Sequence, residues 1–271
     1  MFTYKYLPPD RIGFLDDRLL RFTPPGALND PFECLPVVPT IEANRVLREF
    51  LAEREEEARN ATSSSDAFLR LVQEARTTML AKIENDPEHF KKLFFEIGDR
   101  KINSRVGILS LSKRWDSGLM WAHYAASHTG FCVGFDRTHR FFQSNDDGNG
   151  TKLTDVLYSE NRIEVPVVKG EIIDFRLMFT KSLDWMYEQE ERKLARLSRA
   201  TKIREGEPYK VCLFEIPEDT ISEMVVGARA TDEVRSAVLS YCSRKNVPVF
   251  VAAPSSASFD VLRSEADQHT I

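Results

Sequence analysis

A long interruption in the strand pattern restricts the fold of this chain more than any other feature. Phe2–Leu7 and Leu19–Thr23 have the apolar, alternating look of short strands, and that texture returns only at Val106–Ser112 and Gly130–Asp136. In between, Ile41–Arg59 and Asp66–Ile83 carry apolar residues at helical spacing: Val46, Leu47 and Phe50, then Phe68, Leu71 and Val72. The helical stretch reads as an insertion between sheet elements. The chain is therefore expected to be α+β, a single domain over 1–271 with a helical insertion at 41–101.

Turn residues divide the remainder. Pro8-Pro9 and Pro24-Pro25-Gly26 stop the first two strands, with a short helix at Asp10–Asp16 between them burying Ile12, Phe14 and Leu15. Asn60–Ser65 breaks the helical stretch, Ser65 or Asp66 being the cap, and Asp86-Pro87 opens a third helix. A short helix is expected at Gly118–Ala126, an exposed turn at Asn145–Gly150, and strands at Val156–Tyr158, Val165–Val168 and Lys210–Ile216. Ile172–Glu191 has helical spacing through Leu183, Tyr187 and Glu190. Thr231 caps a helix at Asp232–Arg244, and Val247–Ala252 with Ser258–Arg263 forms a terminal hairpin.

Composition removes several classes. With 271 residues, 42% hydrophobic and 29% charged, the chain is long enough for a substantial core and unlike a disordered one. Net charge of −5 gives no global basic field for nucleic acid. Cys34, Cys132, Cys212 and Cys242 are scattered singly, which suits a reducing compartment. No apolar run approaches the ~20 residues of a membrane span, and MFTYKYLPPDR lacks the succession of a signal peptide, so a cytoplasmic location without membrane contact is expected. The acidic helices at 41–101 offer a surface to a protein partner.

Four polar clusters exceed what packing asks for. Asn29-Asp30-Pro31-Phe32-Glu33 is a proline-stiffened loop with an amide and two carboxylates, suited either to holding a ligand or to Asx-turn bonds with its own backbone. Ser110 and Ser112 share one face of a strand, since side chains alternate. Met120-Trp121-Ala122-His123-Tyr124 places aromatic rings and an imidazole on a helix, a surface that suits a heteroaromatic ring such as adenine or nicotinamide. His123 and His128 lack the companions of a zinc site. Glu188-Gln189-Glu190 offers carboxylates able to steady a developing positive charge or take a proton. If the segment is helical, Glu188 pairs with Arg192; if a strand begins near Glu188, Glu188 and Glu190 share a face.

These clusters together resemble a bacterial family of domains of unknown function, DUF2971. The resemblance rests on Tyr4-Lys5-Tyr6, Leu20-Arg21-Phe22, Asn29 to Glu33, Ser110-Leu111-Ser112 and Met120 to Ala125 with Gly130 and Gly134-Phe135. It continues through Lys181-Ser182, Trp185, Tyr187 to Arg192 and Val226-Gly227, and departs at Glu191, where an aromatic residue is expected before the arginine. At fold level the order of elements is also similar to ADP-ribosyltransferase-like proteins. That likeness implies a split, mostly antiparallel sheet that holds NAD. It implies Tyr6 as the first-strand contact, Ser110 and Ser112 as the serine pair, Glu190 as the late glutamate preceded by Glu188, and Tyr124 as a stacking partner.

The leading expectation is an NAD-binding transferase in which Glu190, Glu188 and Ser112 carry the chemistry. Tyr6, Ser110, Trp121, His123, Tyr124, Asn29 and Asp30 would hold NAD, with no metal. Its role would be that of a toxin or phage-defence effector modifying a macromolecular or small acceptor. Two alternatives stay open. One is a non-catalytic sensing or interaction module whose polar motifs lock the fold. The other is a metal-dependent phosphoester hydrolase using Asp30, Glu33, Asp116 and His123.

Overall fold

The computed structural model describes residues 1–37, 39–61, 65–88, 92, 96, 100–145, 150–164 and 174–266. The protein is α+β, with mostly antiparallel sheets and several helices. No helix among the described residues is long and apolar enough to cross a membrane.

The strands in chain order are β1 (Phe2–Leu7), β2 (Leu19–Phe22), β3 (Val106–Ser112), β4 (Phe131–Asp136), β5 (Thr154–Asp155), β6 (Leu157–Ser159) and β7 (Thr180–Ser182). They continue as β8 (Glu190–Arg196), β9 (Lys202–Arg204), β10 (Val211–Glu215), β11 (Ile221–Val226), β12 (Val249–Pro254) and β13 (Val261–Glu265). The main sheet has eight strands in the order β13-β12-β11-β4-β1-β3-β8-β5. A second sheet runs β2-β10-β9, and β6 pairs with β7.

The opening strand takes a central place because its side chains have two cores to enter. Leu7 joins Phe14, Phe131, Val133 and Phe135 on one side, while Tyr4 and Tyr6 join Met120, Trp121 and Val225 on the other. β1 pairs with β4 along its whole length, from Phe2 opposite Asp136 to Leu7 opposite Phe131. With β3 it shares a single pair, Tyr4 opposite Ser112. Beyond that pair the Lys5 ammonium donates to the Ser110 carbonyl at 2.9 Å. This poorly zipped seam between β1 and β3 is where the sheet opens toward a cleft.

Local signals account for most elements. Helix Asp232–Lys245 is capped by Thr231 as expected, and it packs on β11 and β12 as the crossover between those parallel strands. The terminal hairpin β12–β13 forms with Ala252 opposite Arg263. Helices Thr40–Asn60 and Asp66–Asn85 lie between β2 and β3, the second capped by Ser65. They are joined by the Arg76–Glu55 and Arg48–Glu84 ion pairs at 3.0 and 3.3 Å. Val46 and Ile83 are buried, but Phe50, Phe68 and Leu71 of the expected apolar stripe are exposed.

Two sequence expectations need correction. The described part of Ile172–Glu191, from Asp174 on, is not an α-helix: 3₁₀ turns at Phe175–Phe179 and Leu183–Glu188 flank β7. Gln189 then takes a left-handed φ of 43° and turns the chain into β8. The apolar spacing there reflects tight turns with three residues per turn. Strand β11 was not anticipated, because Glu223 interrupts its apolar run; that carboxylate is buried and accepts from Tyr4 at 3.0 Å and from Arg263. The strand expected at Val165–Val168 lies outside the described residues, as does most of the turn at Asn145–Gly150.

Candidate functional site

A cleft of about 210 Å³ opens beside the seam between β1 and β3. β1 contributes Tyr4, Lys5 and Tyr6, and β3 contributes Ser110, Leu111 and Ser112. Asn29 and Glu33 enter from the loop after β2, and Met120 and Tyr124 from helix Gly118–Tyr124. Lys181 of β7, Glu188, and Glu190 and Arg192 of β8 complete the wall.

The antiparallel register explains the convergence. Ser112 stands opposite Glu190 and Ser110 opposite Arg192, so the serine pair and the charged pair project from adjacent strands. β8 thereby resolves the two conformations open to the Glu188 segment. Glu190 begins a strand, and Glu188 sits in the preceding turn, buried.

The floor is an ion network with very little solvent access. Lys181 Nζ lies 2.6 Å from Glu188 Oε2, 3.2 Å from Glu190 Oε2 and 3.1 Å from Glu33 Oε1. Arg192 Nε donates to Glu190 Oε1 at 2.7 Å, Nη1 to the Met178 carbonyl at 2.8 Å, and Nη2 to Glu33. Three carboxylates thus share two cations, all with side chains no more than 5% exposed. Buried charges persist only when paired and hydrogen-bonded in this way.

The environment separates the two glutamates of the Glu-x-Glu step. Burial opposes ionisation of Glu190, but Arg192 and then Lys181 outweigh it and hold its carboxyl at about 2. For Glu188 burial prevails over Lys181, and its carboxyl is pushed above the ordinary range. Burial also lowers Lys5, against the pull of Glu190 and Glu188. Such divergence of neighbouring carboxyls is the pattern of sites that need one fixed charge and one proton carrier.

The expected residues are distributed as follows. Tyr6, Ser110, Ser112, Tyr124, Asn29, Glu188 and Glu190 line the one cleft. The Ser112 hydroxyl is already committed, donating to the Glu188 carbonyl at 2.6 Å and accepting from the Arg114 N–H at 3.0 Å. Tyr6 donates to the Arg114 carbonyl at 2.8 Å and meets Trp121 edge-on. Trp121 is fully buried behind the cleft, with Nε1 donating to the Trp115 carbonyl. His123 is exposed at the rim, its ring 6.2 Å from both Tyr124 and Tyr187. Asp30 faces a neighbouring hollow and accepts from the Phe32 N–H, the Asx-turn arrangement.

Of the four ligands required by the hydrolase reading, Glu33 is tied to Arg192 and Lys181, and Asp116 pairs with Arg114 at 2.8 Å. Among the described residues no group of three or more His, Cys, Asp or Glu side chains is arranged to hold a metal ion.

Sequence reasoning did not anticipate Lys5, Lys181 and Arg192 as cleft residues, because buried cations have no periodicity signal. The available hint was the alternation Glu190-x-Arg192, opposite charges on one face of a strand. Glu191 and Lys193 occupy the other face, also buried. Glu191 pairs with Arg137 at 2.5 Å, and Lys193 donates to the Ser144 and Thr151 carbonyls.

Residues 120–193 match the family described as Protein of unknown function (DUF2971). The resemblance read from Met120 to Tyr124 and from Lys181 to Arg192 holds over this stretch, which carries Tyr124, Lys181, Glu188, Glu190 and Arg192. No curated protein and no solved structure matches the chain.

Proposed function

We propose that the cleft binds NAD and that the protein is an ADP-ribosyltransferase-like enzyme. The observation that carries this reading is the placement of β3, with Ser110 and Ser112, between β1 with Tyr6 and β8 with Glu190, all lining one cleft. The residues suit such a substrate. The Tyr124 ring offers a wall for a planar group, and the ionised Glu190 gives the cleft a fixed negative charge for a ligand with positive charge at its reacting end. The cleft is smaller than the ~300–1,000 Å³ usual for ligand pockets, so it would take the nicotinamide–ribose end and leave the remainder outside.

In the reaction, the bond between ribose C1′ and the nicotinamide nitrogen breaks and its electron pair leaves with neutral nicotinamide. A nucleophile on the acceptor forms the new bond to C1′, and its proton passes to Glu188. Glu190, held ionised by Arg192 and Lys181, steadies the positive charge that develops at the ribose. Glu188, whose proton affinity is raised by burial, is the better proton acceptor. Incubation with labelled NAD and candidate acceptors tests the reading. Binding and nicotinamide release are expected for the wild type, with release lost in Glu190→Ala; neither binding nor release, with activating partners tried, would sink it.

A non-catalytic module is the second reading, favoured by the committed Ser112 hydroxyl and the fully paired Lys181. It predicts that Glu190→Ala destabilises the fold and changes no ligand binding.

A further inference from the structure

Glu188 is held from two sides. Lys181 Nζ occupies Oε2 at 2.6 Å, and the Tyr124 hydroxyl donates to Oε1. The Asn29 amide in turn donates to the Tyr124 oxygen at 2.9 Å. This chain joins the loop after β2, the end of helix Gly118–Tyr124 and the turn before β8, three segments far apart in sequence. The other groups facing Glu188 are Glu190 of β8, Lys5 of β1, Tyr158 of β6 and Tyr187 of its own turn, with Glu33 behind Lys181.

We infer that Tyr124 and Asn29 are positioning residues for Glu188, fixing its carboxylate in one orientation and favouring its ionised form. The inference rests on the reading of Glu188 as the proton acceptor. A hydrogen bond donated to a carboxylate favours the charged form, and the bonded oxygen cannot rotate without breaking it. Tyr124 suits this role because its hydroxyl stays a donor at all physiological pH values: burial and the neighbouring Glu188 both oppose its ionisation. The Asn29 N–H fills the phenol's acceptor position and so points its proton at Glu188.

The test uses Tyr124→Phe, which keeps the ring on the cleft wall, and Asn29→Ala. The Glu188 carboxyl is titrated by infrared difference spectroscopy against a Glu188→Gln reference, and nicotinamide release from NAD is followed against pH. In Tyr124→Phe the Glu188 titration should move up by about one pH unit, with the acid limb of the rate profile moving alongside it. Asn29→Ala should move both in the same direction by less. An unchanged Glu188 titration, or a rate loss equal at every pH, would overturn the inference. A shifted titration in a protein that releases no nicotinamide would support the positioning role and count against the proposed reaction instead.

Discussion

The Ser112 hydroxyl donates to the Glu188 carbonyl oxygen at 2.6 Å, tying the end of β3 to the turn that launches β8. It also accepts from the Arg114 N–H, so a side chain with the sequence position of a reactive serine works as a splice between strands. Ser112→Ala leaves a buried carbonyl and a half-buried N–H without this partner and should cost about 1–3 kcal/mol of stability, read as the urea midpoint. Ser110, whose hydroxyl hydrogen-bonds the Glu190 carboxylate, should likewise lose about 1–3 kcal/mol as alanine.

Glu33 is the network's link to the loop after β2. Glu33→Gln removes the charge that Arg192 Nη2 and Lys181 share and should destabilise by roughly 2 kcal/mol or more. The exposed Arg45–Glu49 pair is the control, since Glu49→Gln should stay within about 0.5 kcal/mol in the same denaturation experiment.

Acid should weaken the fold through Glu190. Its carboxyl sits at about 2 in the folded protein against 4.5 ordinarily, so the unfolded chain takes the proton more readily. Its contribution is therefore complete above pH 4.5 and is lost as pH falls from there through about 2. Glu188 is shifted the other way, so its contribution grows on acidification and partly offsets the loss. Comparing Glu190→Gln with wild type reads out the charge at this position, together with its pull on Glu188: the stability difference between them should shrink as pH falls from 6 to 3.

Close backbone approach makes Gly130 the most sensitive glycine near the sheet. A Cβ there would lie 2.0 Å from the Leu7 carbonyl oxygen, and the Gly227 N–H, just after β11, bonds to the Gly130 carbonyl just before β4. Gly130→Ala should lower stability by more than about 2 kcal/mol or abolish soluble expression. Gly13→Ala, with nothing within 4 Å of the added carbon, should melt within a few degrees of wild type.

Much of the sheet was legible because β1, β3 and β4 are short apolar strands with clear stops, and Thr231 is a plain helix cap. β8 was not. Glu190-Glu191-Arg192-Lys193 has no apolar alternation, since the strand buries charges on both faces and satisfies them with residues distant in sequence. The cleft was legible in part for the same reason. Tyr6, Ser110, Tyr124 and Glu190 carry recognisable side chains, whereas Lys181 and Arg192 gain meaning only once β7 and β8 bring them to Glu33.

The most direct test of the central claim is the time course of nicotinamide release from NAD by wild type and by Glu190→Gln, both first shown to be folded at the assay pH. Release by the wild type, reduced at least about hundredfold in the variant while NAD still binds, is the predicted result. Equal rates in both proteins, or an NAD affinity too weak to measure in the wild type with activating partners supplied, would contradict it.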